Sequence, residues 1–257
     1  METYVVGDLH GNACREMEYL NSRKFPEQKS MTKDDVVIQL GDFGGYWFRP
    51  DNKSYGEDLY NRQWLGSRNF TFAFVDGNHE NFDLINELPV EEKWGALVHV
   101  DRGHGRFGVY AIYHLIRGNV YTINDKRIFV FGGAKSADKH LRTEGKDWWS
   151  AESPTNDEIE NALNNLEAHG YAVDYVLTHT CPDHKLDIFL CRNMDNAGKF
   201  NDTTARFLRH VYENTSFKEW HFGHLHVNKR HENMMCHYKT TPHKLGELDD
   251  NGKQNSK

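Results

Sequence analysis

Five short runs of β-branched and aromatic residues, at 3–6, 36–40, 70–75, 173–177 and 219–222, each stop at a small polar cluster. The clusters are Gly7-Asp8-Leu9-His10-Gly11, Gly41-Asp42-Phe43-Gly44-Gly45, Asp76-Gly77-Asn78-His79-Glu80, Thr178-His179-Thr180-Cys181-Pro182 and Gly223-His224-Leu225-His226. Runs this short and apolar suit strands buried on both faces. Their alternation with amphipathic stretches in the N-terminal half is the pattern of βαβ units around a mainly parallel sheet. In an open α/β sheet, ligands bind in the crevice beyond the carboxyl ends of the strands, which is where these clusters fall.

The middle of the chain reads as strands at 108–116, 120–123 and 127–131, which predicts a second, more antiparallel sheet and hence a sandwich. Residues 132–153 show little periodicity and carry Lys135, Lys139, Arg142, Lys146, Trp148 and Trp149. A loop that long is usually functional or disordered. Thr155-Asn156-Asp157-Glu158 is a capping box, with Ile159, Leu163 and Leu166 at helical spacing behind it. A second helix is expected around 202–213. From Thr240 the composition turns to Lys, Asp, Asn and Gly, so the expected organisation is one domain over 1–239 and a flexible tail over 240–257.

With Lys+Arg 31 against Asp+Glu 38, the net charge is −7, and no strong overall positive field exists to capture nucleic acid. A local basic groove stays open as a possibility. The start lacks the positive n-region and apolar stretch of a signal peptide, and no apolar run approaches the roughly 20 residues of a membrane span. A cytoplasmic protein without membrane insertion is the expectation. The four cysteines contain no C-x-x-C pair and read as reduced thiols. Cys14 and Cys181, beside the polar clusters, are assigned to packing.

Asp8, His10, Asp42, Asn78, His79, His179, His224 and His226 are nearly all metal-ligand types. A mixture of carboxylate, imidazole and carboxamide donors without thiolate suits Mn²⁺, Fe, Zn²⁺ or Mg²⁺ and argues against a structural zinc site. Eight groups are too many for one tetrahedral ion and match two octahedral-type sites sharing a bridging carboxylate. In an extended segment residues i and i+2 face the same way. Asp8 with His10, and His224 with His226, would then each present two donors, while Leu9 and Leu225 turn into the core. One such histidine alone is more often a hydrogen-bonded structural residue. Five clusters at five strand ends reverse those odds.

The clusters resemble the motif series of the calcineurin-like metallophosphoesterases, G-D-x-H, G-D, G-N-H-[DE], H and G-H-x-H. The matches are Gly7-Asp8-Leu9-His10, Gly41-Asp42, Gly77-Asn78-His79-Glu80, His179 and Gly223-His224-Leu225-His226, all in the family's order from residue 7 to 226. The resemblance implies a four-layer α/β/β/α sandwich with two mixed β-sheets flanked by helices. It implies that Asp8, His10 and His226 hold one divalent ion, that Asn78, His179 and His224 hold another, and that Asp42 bridges both. Mn²⁺ is the foremost candidate, with Fe, Zn, Mg or Ni as alternatives. The implied reaction is hydrolysis of a phosphomonoester or phosphodiester by in-line attack of a metal-bridging hydroxide, with His79 left for proton donation or charge stabilisation.

Three other readings stay open: a nuclease or nucleotide phosphodiesterase, a Ser/Thr protein phosphatase, and a noncatalytic metal-binding interaction scaffold. The phosphoprotein phosphatases of the family carry G-D-x-x-D-R-G and R-G-N-H-E, and both motif arginines are missing at Gly41–Gly45 and Asp76–Glu80. Those arginines would grip a phosphate monoester bidentately. Lys139 or Arg142 could substitute from the 132–153 loop. Trp148 and Trp149 fit either a base-stacking clamp or packing. Glu80 would orient His79 or bond to nearby structure, and His184 would line the site. Gly103-His104-Gly105-Arg106-Phe107-Gly108 fits G-x-G-x-x-G formally, but strand-type residues follow it, so it reads as a turn. His231-Glu232 fails the H-E-x-x-H pattern because Met235 occupies the i, i+4 position.

Overall fold

A computed structural model of the chain describes residues 1–11, 17–190 and 202–248. Among these, the elements are β1 (Thr3–Val6), β2 (Val36–Leu40), α1 (Tyr55–Gly66), β3 (Thr71–Val75), α2 (Phe82–Asn86), β4 (Val90–Lys93), β5 (Ala96–Gly105), β6 (Gly108–Leu115), β7 (Val120–Ile123) and β8 (Lys126–Phe131). The C-terminal half adds α3 (Asn156–Ala168), β9 (Tyr175–Thr178), α4 (Leu186–Leu190), α5 (Thr203–Asn214), β10 (Glu219–Phe222), β11 (Lys229–His231), β12 (Met234–Cys236) and β13 (His243–Lys244).

The strands form two mixed sheets, ordered β13-β1-β2-β3-β6-β5-β4 and β11-β12-β10-β9-β8-β7. In the first, β1, β2, β3 and β6 run parallel. In the second, β12, β10, β9 and β8 run parallel, with β11 and β7 antiparallel at the edges.

Side-chain alternation along the strands produces the layers. Val36, Ile38 and Leu40 of β2, Ala73 and Val75 of β3, Ile128 and Val130 of β8, and Tyr175 and Leu177 of β9 meet in one buried cluster between the sheets. Their neighbours on the opposite faces, Val37, Phe72 and Phe74, pack with Leu65 of α1 and Ile85 of α2. Phe129, Phe131 and Val176 pack with Ala162 and Leu166 of α3 and Leu208 and Val211 of α5. Strands buried on both faces therefore feed two cores each, which is why they read as nearly continuous apolar runs rather than alternating ones. The result is helices, sheet, sheet, helices, the architecture implied by the resemblance.

Two sequence expectations differ from the structure. The strands at 108–116, 120–123 and 127–131 do not share a sheet. β6 pairs β3 in parallel through Phe72↔Ile112 while hairpinning with β5, so it closes the first sheet. Gly118, at φ 84°, then turns the chain across to β7 in the second, whose centre is parallel. At the other end, residues 240–248 carry a strand where composition pointed to a tail. β13 pairs β1 through Val5↔His243, and Leu245 is buried. The capping box forms, with Thr155 Oγ1 accepting from Glu158 N at 3.2 Å and Glu158 Oε2 from Thr155 N at 2.7 Å. The 103–108 segment is the β5/β6 hairpin. No helix among the described residues is long and apolar enough to cross a membrane.

Candidate metal centre

The carboxyl ends of β1, β2 and β3 in one sheet and of β9 and β10 in the other open onto a single site. The donors reach it from tight turns. His10, Asp42, His224 and His226 have φ of 53°, 55°, 64° and 52°, a left-handed conformation that costs a residue with a Cβ about 1 kcal/mol or more. The surrounding backbone imposes it: Leu9 N and His10 N both donate to the Asp42 carbonyl, at 3.2 and 2.7 Å. Leu9 and Leu225 are buried in the core as expected, but extended i, i+2 alternation does not position the donors. It fails for His224 and His226, which go to different halves of the site.

One half holds Asp8, His10 and His226, whose ligand atoms lie within 4.8 Å of one another. His10 Nε2 faces His226 Nε2 at 3.1 Å, and Asp8 Oδ2 lies 3.3 Å from His226 Nε2 and 3.8 Å from His10 Nε2. In the other half, His179 Nε2 is 3.0 Å from Asn78 Oδ1, and the His224 ring lies 4.9 Å from the His179 ring. Asp42 sits between the halves, with Oδ2 3.8 Å from His10 Nδ1 and Oδ1 3.3 Å from His179 Nε2. All seven residues assigned as ligands thus converge. His79 is held beside them, its backbone N–H donating to Asp42 Oδ1 at 2.8 Å and its ring 5.7 Å from that of His10.

Asp8 Oδ2 is a buried carboxylate oxygen with no hydrogen-bond donor. Two imidazole nitrogens face each other beside it, and lone pairs aimed at one another demand a proton or a cation between them. The donor set fits divalent ions with N/O preference. Burial alone would raise the Asp42 carboxyl, but the imidazoles of His179, His79 and His10 outweigh it and hold it far below the usual carboxylate range. Burial also lowers His224 well below the ordinary imidazole value, leaving it in the neutral form a metal needs.

His179 behaves oppositely. Burial would lower it, but the charge and hydrogen bond of Asp42, with help from Asp8 and the Leu40 carbonyl, push it up to about 10. That pairing stabilises the metal-free chain fully below the unfolded value of about 6.5 and is lost as pH rises through about 10. A metal must displace the proton from Nε2. Apparent Mn²⁺ affinity is therefore expected to rise with pH across neutrality, by up to about tenfold per unit for this one proton. The Tm measured in chelator is expected to fall toward alkaline pH. Titrations at several pH values, with parallel melts, check both trends.

Neighbouring groups aim these ligands. Asn78 Nδ2 donates to Ser136 Oγ at 3.0 Å, and Ser136 Oγ donates to the buried Glu152 Oε2 at 2.5 Å, so the Asn78 oxygen is left facing His179. Glu152→Ala is expected to weaken Mn²⁺ binding by about 10–100-fold while the chain stays folded, a loss that isothermal titration reads. Glu80 accepts from Phe43 N at 2.6 Å and Gly44 N at 3.3 Å, so it braces the turn that follows Asp42 rather than His79. Gly77 and Gly223 have no room for a Cβ: one placed there would collide with Asp42 and Asp8, respectively. Tyr238 stacks on the His226 ring with centroids 4.3 Å apart.

Asp76, where the phosphoprotein phosphatases carry arginine, is buried and paired with Arg117 and with His114 Nε2 at 3.1 Å. The cleft over the site, about 560 Å³, is lined by His10, His79, Trp47, Phe48 and Arg142 among others. Arg142 thus reaches it from the 132–153 loop, while Lys139 lies over the Trp148 ring at 4.4 Å. Trp149 is buried, donates to Asp83 Oδ2 at 2.9 Å and packs edge-on against Trp47, which makes it an anchor for the loop and not a clamp. His184 rests against Tyr212. Cys181 and Cys236 are buried thiols, with burial pushing both far up, and Cys14 lies outside the described residues. Ser136, Glu152 and Trp47 carry no motif that would reveal them. The bulky aromatic at Trp47, just after a glycine-rich strand end, is the one available hint.

The family model for calcineurin-like phosphoesterases matches residues 1–228. No curated protein matches the chain. Among solved structures, a 5'-nucleotidase from Candida albicans SC5314 is similar at 13% identity with a TM-score of 0.38, covering 93% of this chain and 45% of that one. The chain thus spans less than half the length of that nucleotidase.

Proposed function

The chain belongs to the calcineurin-like phosphoesterase family, and from that premise we propose that it hydrolyses a phosphomonoester or phosphodiester at a centre of two divalent ions, Mn²⁺ foremost. Asp8, His10 and His226 would hold one ion and Asn78, His179 and His224 the other, with Asp42 shared. The observation that carries this reading is the convergence of lone pairs from five strand ends onto the two sides of one ionised carboxylate. Divalent ions held there acidify water and screen the phosphate's negative oxygens.

The chain's own groups do the rest. Water adds its oxygen to phosphorus and gives up a proton to solvent, the bond from phosphorus to the leaving oxygen breaks, and that oxygen takes a proton. His79 is placed to give it, since it borders the cleft and makes no side-chain bond to the ligand cluster. Burial, reinforced by Arg142, lowers the His79 imidazole against the pull of Asp42. A phosphate charge arriving beside it opposes that shift and favours the protonated form. Arg142 offers the cleft a guanidinium, held by Asp138 at 2.8 and 2.7 Å.

Hydrolysis of mono- and bis-p-nitrophenyl phosphate, with and without Mn²⁺, tests the reading. Metal-dependent release of p-nitrophenol is expected, and the ratio of the two rates distinguishes monoester from diester preference. No turnover of either ester with any of Mn²⁺, Fe²⁺, Zn²⁺, Mg²⁺ or Ni²⁺ would leave the scaffold reading in its place.

A further inference from the structure

Arg142 borders two clefts. Besides the one over the candidate metal centre, it lines a second of about 640 Å³, together with Lys135, Lys139, His140 and Trp148. Ser136, whose hydroxyl accepts from Asn78, belongs to the wall of this second cleft, so that wall touches a proposed ligand and shares Arg142 with the first cleft. Three permanent cations border the second cleft, Lys135, Lys139 and Arg142, and of these Arg142 is paired with Asp138. The one acid lining it among the described residues, Glu144, accepts from the backbone N–H of Ser150 at 2.9 Å. Neither Lys135 nor Lys139 forms an ion pair with a carboxylate among the described residues. Lys139 is held over the Trp148 face, on a loop that Trp149 anchors to Asp83.

Two lysines without a carboxylate ion pair, beside an arginine that borders both clefts, are groups that one anion can join. We propose that this second cleft is a leaving-group subsite for a further phosphate, so that the substrate is a phosphate ester or anhydride whose leaving group is itself phosphorylated. The inference rests on the phosphoesterase reading and adds the leaving group's chemistry to it. Arg142 then lies between the scissile and the retained phosphate. Lys135 and Lys139 grip the retained one as point charges.

The test compares the full-length chain with its Lys135→Ala/Lys139→Ala variant in two assays. First, tripolyphosphate binding to metal-free protein is measured by calorimetry. Each lysine in direct contact contributes on the order of tenfold, so the variant is expected to bind at least about tenfold more weakly. Second, kcat/KM with Mn²⁺ is measured for tripolyphosphate, adenosine 5'-diphosphate and adenosine 3',5'-bisphosphate, each relative to p-nitrophenyl phosphate. The wild type is expected to prefer at least one phosphorylated leaving group, and the variant to lose that preference by a similar factor. The three substrates separate an anhydride chain from a nucleotide ester. Equal tripolyphosphate binding by both proteins, or none by either, overturns the subsite. Turnover with an unchanged preference overturns it while leaving the phosphoesterase reading intact, whereas failure of that reading shows as no turnover of any ester.

Discussion

Asp42→Asn is expected to abolish metal-dependent turnover and to strip the site of bound metal. The substitution keeps an oxygen to accept the His79 N–H, now at 2.8 Å, and keeps the side chain's shape. What it removes is the charge. Asp42 is the anion common to His10 on one side and His179 on the other, so neutralising it weakens both halves together. Losing a group that merely orients a ligand costs about 10–100-fold, and a shared ligand must exceed that, which places the expected loss at about 10³-fold or more. Loss of the His179 counter-ion also returns that imidazole toward its ordinary value, so the alkaline fall in Tm of the metal-free chain should disappear. Metal analysis of the purified variant, beside its kcat/KM, checks the first two points. Undiminished activity would remove Asp42 from the centre.

His79→Asn should behave differently. A positioned proton donor contributes about 10²–10⁴-fold, so a kcat loss of that size is expected, but the bound metal should remain because no ligand contact of the His79 side chain is lost. The loss should be largest for an alkyl phosphate, whose leaving oxygen needs the proton. It should be smallest for p-nitrophenyl phosphate, whose leaving group departs as a stable anion. A uniform loss across leaving groups would assign His79 to charge stabilisation. Loss of metal would make it a ligand.

Much of this was legible in the chain because burial on both faces leaves strands such as 36–40 apolar at all positions but Gln39, and because ligand chemistry restricts residue types at their ends. The strand ends, the capping box of α3 and the family resemblance are all local or motif-borne signals. Partnership between strands is not local. Nothing in 108–116 states that β6 pairs with β3, and nothing in a polar stretch after Thr240 states that His243 lies against Val5. The same holds inside the site. His224 and His226 separate because left-handed backbone turns them apart, a conformation that neither residue type announces. Ser136 and Glu152 stand far from Asn78 in sequence and act through it only in three dimensions.

The central claim is that the strand ends of two sheets hold a pair of divalent ions on either side of Asp42. Anomalous diffraction from a crystal grown with Mn²⁺ tests it most directly. Two manganese peaks should flank the Asp42 carboxylate, one among Asp8, His10 and His226 and the other among Asn78, His179 and His224. Absence of manganese from this cluster, or its binding only elsewhere on the surface, would contradict the account.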